Sequence, residues 1–176
     1  MTQAPAHGAA RLILVLGGAR SGKSRHAESL ITALPPPWIY VATAQALDDE
    51  MARRIAEHRA RRGDGWQTVE APRDLAQALD GTPEGASILV DCLTLWLSNM
   101  LLVDADIERE CDRLDTALSR RRGPMVLVAN EVGLGIVPDN ALARHFRDAA
   151  GRLNQQMATR ADSVVFVAAG IPLQLK

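Results

Sequence analysis

Apolar runs alternating with helix-patterned segments predict an α/β fold: an open, mostly parallel sheet flanked by helices. Two observations carry this. Five apolar runs, at 12–16, 38–42, 87–91, 125–129 and 163–168, have the length of buried strands, and segments with helical spacing separate nearly all of them. Several of these runs end in small or polar residues, where an open parallel sheet presents ligand-binding groups. Strand order cannot be read from periodicity.

The first run opens into Gly17-Gly18-Ala19-Arg20-Ser21-Gly22-Lys23-Ser24, and a helix pattern follows. Strand, G-x-x-x-x-G-K-S, then helix is the context of a phosphate-binding P-loop, here of the RecA-like P-loop NTPase class. The glycines let backbone N–H groups turn toward an anion, and the helix adds the positive end of its dipole. In that arrangement Lys23 reaches the β- and γ-phosphates and Ser24 ligates Mg²⁺. The helix carries Ala27, Leu30, Ile31 and Leu34 on one face, and Pro35-Pro36-Pro37 stops it. The chain is therefore expected to bind a nucleoside triphosphate.

The second strand ends in Ala42-Thr43-Ala44, where the Thr43 hydroxyl either meets nucleotide or metal or simply closes the strand. Asp48-Asp49-Glu50 opens a helix with Met51, Ile55 and His58 on one face. From spacing, His58 is a core histidine. Beside Arg59-Ala60-Arg61-Arg62 in a P-loop protein, it is equally placed to meet a polyphosphate. The arginines themselves are open to a plainer reading as a solvated face. A short strand at 67–70, suited to a sheet edge, ends in Glu70, a ribose or metal partner or a surface acid. Pro72 is expected to start a helix carrying Leu75, Ala76 and Leu79.

The third strong strand ends in Asp91, the form of a Walker-B acid that holds Mg²⁺. An apolar helix face follows from Leu93 to Leu101, then a helix from Asp104 with Ile107, Cys111, Leu114 and Leu118 inward and a solvated Arg120-Arg121-Arg122 at its end. Asn130-Glu131 ends the fourth strand and begins a glycine-containing loop that reads as functional. A long helix at about 140–160 places Leu142, Phe146, Ala149, Leu153 and Met157 inward, and an antiparallel strand can close the chain at 171–175.

Composition narrows the function classes. A net charge of −1 gives no basic field to attract nucleic acid or an anionic membrane, and three Trp, one Tyr and two Phe leave little for stacking on bases. No apolar run approaches the roughly 18 residues of a membrane span. Residues 1–10 lack the pattern of a signal peptide and read as a disordered tail before a single catalytic domain at 11–176. Cys92 and Cys111 match no metal or redox spacing and read as small core residues. The expected location is cytoplasmic.

The ordered set of motifs resembles one family. The block Gly17 to Glu28, Val41-Ala42-Thr43-Ala44-Gln45 with Asp48-Asp49-Glu50-Met51, Arg54-Ile55 with His58-Arg59, Val90-Asp91-Cys92-Leu93-Thr94, Asn130-Glu131-Val132-Gly133 and Phe146-Arg147-Asp148 all match. Together they resemble the bifunctional adenosylcobinamide kinase / adenosylcobinamide-phosphate guanylyltransferase family over about residues 11–176. The resemblance implies phosphorylation of adenosylcobinamide with ATP or GTP, then transfer of GMP from GTP to adenosylcobinamide-phosphate through a GMP-histidine. It implies His58 as that histidine, nucleotide contacts at 17–24, Ala42, Thr43, Ala44, Arg59, Ala60, Arg61, Arg62, Glu70 and Asp91, Mg²⁺ at Ser24 and Asp91, and a homotrimer. Some relatives carry two adjacent histidines where this chain has Glu57 and His58, and Arg62-Gly63 replaces a more usual Arg-Pro. Two other readings stand beside it: a P-loop small-molecule kinase without nucleotidyl transfer, and a non-catalytic GTP-binding switch.

Overall fold

A computed structural model describes residues 11–176; the tail expected at 1–10 lies outside the described residues. Among the described residues seven strands form one sheet: β1 (Leu12–Gly17), β2 (Trp38–Ala42), β3 (Trp66–Glu70), β4 (Ser87–Asp91), β5 (Met125–Asn130), β6 (Ser163–Ala168) and β7 (Ile171–Gln174). Their order is β3-β2-β4-β5-β1-β6-β7. All neighbours are parallel except β6 and β7, which are antiparallel. The short strand expected at an edge is β3, and the expected C-terminal antiparallel strand is β7.

Six helices among the described residues accompany the sheet: α1 (Lys23–Thr32), α2 (Asp49–Arg61), α3 (Leu75–Asp80), α4 (Leu93–Leu101), α5 (Ile107–Arg120) and α6 (Ala141–Arg160). Strand periodicity of two divides the core between the sheet's faces. Leu12, Leu14 and Leu16 pack with residues of α3 to α6, whereas Val15 packs with Ala27 and Ile31 of α1. Helix α2 is the exception, because none of its thirteen residues is buried. Its start is fixed locally: the Asp48 side chain accepts from the Met51 N–H at 2.7 Å.

Four expectations need correction. Helix α3 begins at Leu75 rather than Pro72, with Asp74 at its N-cap. Helix α5 begins after Asp106, whose carboxylate caps Arg109 N–H at 3.1 Å, while Asp104 turns the chain at φ 51°. Leu142 is 64% exposed, because the inward face of α6 becomes buried only from Ala149 onward. Arg121 is buried, not solvated: its guanidinium donates to the carbonyls of Thr82 at 2.9 Å and Pro83 at 2.7 Å. Those carbonyls belong to the loop that follows α3, so the buried guanidinium is paired by loop acceptors rather than by solvent.

Candidate active site

Adjacent parallel strands bring the sequence-predicted residues to one sheet edge. Gly17 ends β1 opposite Asn130 at the end of β5. Ala42 lies in register with Asp91 on one side and Glu70 on the other, so these three form a row across β4, β2 and β3.

The P-loop between β1 and α1 is tightly folded. A Cβ on Gly17 would lie 2.5 Å from both Ser21 Oγ and the Val167 carbonyl, leaving no room for a side chain. Gly22 has φ 96°, which favours glycine, and Arg20 turns the exposed crown beside Ala19 with φ 55°. Helix α1 has no acidic residue in its first turn, so its positive end is left for an external anion. Lys23 is buried and donates to the Gly18 carbonyl at 3.0 Å. Burial lowers its pKa, opposed by the nearby Cys92 and Asp91 and reinforced by Arg54. Ser21 Oγ is buried without a hydrogen-bond partner, the kind of polar atom a bound anion would satisfy.

Two clefts meet at the start of α1. The smaller, about 100 Å³, is lined by Tyr40, Ala42, Ala44, Arg62, Glu70 and Asp91, among others. The larger, about 1030 Å³, opens across the P-loop toward α2. Lys23, Ser24, Arg54 and His58 line both. Met51, Ile55 and His58 therefore share a face as their spacing requires, but that face looks into the small cleft and not into the core.

His58 is half-buried, and burial is the main cause lowering its pKa. The charges of Arg61 and Arg54 add to the lowering, while Asp91 and Glu28 oppose it. Arg61 Nη2 lies 3.4 Å from His58 Nδ1. Since arginine has only donors, this contact puts the ring's lone pair on Nδ1. Arg61 is itself held by Glu28 through two bonds, of 2.8 Å and 3.1 Å. The rest of the block diverges: Arg59 pairs with Glu70, and exposed Ala60 lines neither cleft. The Arg62 guanidinium carbon lies 3.4 Å from the Tyr40 ring centroid, and its buried Nη1 has no hydrogen-bond partner.

Thr43 lies apart from this group. It is fully buried, its hydroxyl donates to the Cys92 carbonyl at 2.7 Å, and it accepts from the Cys92 N–H at 2.7 Å. Its side chain ties the end of β2 to the end of β4. Asn130 lines the small cleft, whereas Glu131 turns back, its Oε1 accepting from the Gly133 N–H at 2.6 Å.

Two residues escaped the sequence reading. The Tyr40 hydroxyl donates to Asp91 Oδ2 at 3.1 Å, and burial raises its pKa, so it stays a donor. Its only sequence signal is a single hydroxyl within an apolar strand. Arg54 was missed as a site residue although it stands one helical turn before His58, a spacing that puts both on one face.

The residues fit Mg²⁺ carried by a nucleotide. Asp91 and Ser24 line the same cleft, and among the described residues no group of three or more His, Cys, Asp or Glu could hold a metal alone. Mg²⁺ habitually takes one or two carboxylates and completes its shell with phosphate oxygens and water.

Comparison with known proteins agrees with this geometry. A family model described as cobinamide kinase / cobinamide phosphate guanyltransferase matches residues 13–175. The bifunctional adenosylcobalamin biosynthesis protein CobP of Pseudomonas aeruginosa is 51% identical over 166 residues, spanning 93% of this chain and 96% of that protein. The CobU proteins of Salmonella typhimurium and Escherichia coli, with the same description, are 46% and 44% identical, each over 94% of this chain and 99% of their own length. Among solved structures, an ATPase of the type III secretion system of pathogenic bacteria superposes with a TM-score of 0.56 at 12% identity. It spans 93% of this chain, which in turn spans 56% of that one, and the likeness is one of fold: the RecA-like P-loop sheet. With nearly the whole chain under one family model and relatives near half-identical from end to end, the chain belongs to the cobinamide kinase / cobinamide phosphate guanyltransferase family.

Proposed function

We propose that this chain phosphorylates adenosylcobinamide with ATP or GTP, and then transfers GMP from GTP to adenosylcobinamide-phosphate through a GMP-histidine at His58. Family membership supports the pair of reactions. The observation that carries the histidine's role is its position in the wall shared by the two clefts, beside Lys23 and Ser24.

The residues divide the work. The N–H groups of the P-loop from Gly17 to Ser24 cradle the triphosphate, and Lys23 neutralises its outer phosphates. Ala42, Ala44, Glu70 and Arg62 face the small cleft, where the nucleoside would lie. Mg²⁺ would be held by Ser24 and Asp91 and would supply charge neutralisation on the phosphates. For the kinase step these groups only align the acceptor hydroxyl with the γ-phosphate. For guanylyl transfer a neutral ring nitrogen of His58 attacks the α-phosphorus, and pyrophosphate leaves against Lys23 and the arginines. Burial keeps the imidazole deprotonated for this attack.

The test is incubation with α-labelled GTP and Mg²⁺, followed by denaturing electrophoresis. The expected label is acid-labile and alkali-stable, is released by adenosylcobinamide-phosphate, and is absent from His58→Ala. A folded His58→Ala variant that loses kinase and guanylyltransferase activity equally would sink the division of labour. No label in a protein that still phosphorylates adenosylcobinamide would leave the plain kinase.

The same reading makes the protein a cytoplasmic homotrimer. Supporting it, no helix among the described residues is long and apolar enough to cross a membrane, and Leu134, Ile136 and Val137 are exposed next to α6. Sedimentation at micromolar concentration checks the assembly: a single monomeric species would exclude it.

A further inference from the structure

The nucleotide-contacting side chains assigned above lie in the P-loop and the small cleft. The larger cleft shares Arg20 to Ser24 of the P-loop, and the rest of its wall has a chemistry of its own. Arg20, Lys23, Arg25, Arg53, Arg54 and Arg61 line it against two carboxylates, Glu50 and Glu57. Arg61 is neutralised by Glu28, and Lys23 serves the P-loop. Among the described residues, Arg20, Arg25, Arg53 and Arg54 make no ion pair. Unpaired arginines converging on one concave surface repel each other unless an anion joins them, and their planar forks suit a phosphate.

Position narrows the anion further. Arg25 lies in the first turn of α1, next to Ser24, and Arg53 lies on α2, five residues before His58. A phosphate between these two helices would stand across His58 from the small cleft. Its volume, about ten times that of the small cleft, suits a bulky molecule bearing the phosphate.

We propose that this cationic cleft is the acceptor site, in which Arg25 and Arg53 bind the phosphate of cobinamide phosphate. This assignment rests on the guanylyl-transfer reading of His58. The phosphate installed in the first reaction becomes the handle recognised in the second. In the transfer, one oxygen of that phosphate forms a bond to the phosphorus of the histidine-bound GMP as the P–N bond breaks. The electron pair returns to the ring, which leaves as neutral imidazole with its other nitrogen still protonated. GMP thus passes from the small cleft to the large one through the side chain in their common wall.

Two measurements on the full chain test this. Equilibrium dialysis without nucleotide compares cobinamide phosphate with cobinamide. The native protein is expected to prefer the phosphorylated form at least tenfold, Arg25→Ala/Arg53→Ala to lose that preference, and Arg25→Lys/Arg53→Lys to keep part of it. Labelling of His58 by GTP alone is expected to stay within twofold of native in both double variants. No preference in the native protein would overturn the proposal. So would a preference that survives in the alanine variant, or a variant whose labelling by GTP falls while its cobinamide phosphate affinity does not. If native protein takes no label yet shows the preference, the covalent histidine is lost and the acceptor site stands.

Discussion

The Tyr40 hydroxyl donates to Asp91 Oδ2 at 3.1 Å while the face of the same ring carries the Arg62 guanidinium at 3.4 Å from its centroid. One buried side chain thus holds both the acid proposed to bind Mg²⁺ and an arginine of the proposed nucleotide cleft. Tyr40→Phe keeps the ring and removes only the donor. It is expected to raise the Mg²⁺ concentration needed for half-maximal GTP binding several-fold. Its urea midpoint should report a loss of about 1 kcal/mol, the ordinary net worth of one hydrogen bond. Unchanged Mg²⁺ dependence would show that Asp91 needs no such tether.

Lys23 donates to the Gly18 carbonyl from a buried position. Bound phosphate would replace that acceptor with a charged one. Lys23→Ala should therefore weaken triphosphate binding by about 10- to 100-fold, equivalent to the 1.5–3 kcal/mol of a hydrogen bond to a charged group. Nucleotide titration with a fluorescent GTP analogue measures it. Both reactions should fall together, unlike in His58→Ala.

The pH dependence of the proposed His58 labelling follows from its surroundings. Attack requires neutral imidazole, and burial holds the free-enzyme pKa below the usual 6.5. The acid limb of the labelling rate at limiting GTP should therefore be centred below pH 6.5. Glu28 opposes the lowering, so Glu28→Gln should move the acid limb to still lower pH. For stability the sign is the same: a histidine with a depressed folded pKa contributes stability above 6.5, which is lost as pH falls toward the folded value. A limb centred above 6.5 would contradict this account.

Thr43 bonds both backbone groups of Cys92. Thr43→Val preserves shape and leaves the buried Cys92 N–H unpaired, while the Cys92 carbonyl keeps its bond from the Trp96 N–H at 3.2 Å, at a cost of about 1–3 kcal/mol. Thr43→Ser keeps the hydroxyl and should recover most of it. Chemical denaturation distinguishes the two. Equal stability of the valine and native forms would remove the tie between β2 and β4.

Both cysteines are buried, and burial pushes each thiol up to about 11. Neither should react with a disulfide reagent in the native protein at pH 8, and both should react once it is unfolded. Rapid labelling of native protein would place at least one of them in an open environment.

The sequence by itself determined the alternation of strands and helices, the P-loop, Asp91 and the histidine–arginine block. Each is a local signal: a run of apolar residues, a glycine spacing, or an acid at a strand's end. It also fixed which residues share the inner face of α2, because 3.6-residue periodicity aligns Met51, Ile55 and His58 wherever the helix lies. Only the tertiary structure decided what that face meets. Helix α2 buries nothing and covers a cleft, so a stripe that reads equally well as core becomes the wall of a site. Tyr40 and Thr43 illustrate the same limit in opposite directions. Their partners, Asp91 and Cys92, are 51 and 49 residues away, and adjacency follows from strand order, which no short-range pattern encodes. Arg121 looked solvated for that reason too, since the carbonyls that hold it belong to a loop about forty residues earlier. Periodicity reports how a side chain points from its own element; burial, pairing and charge depend on which other element arrives there.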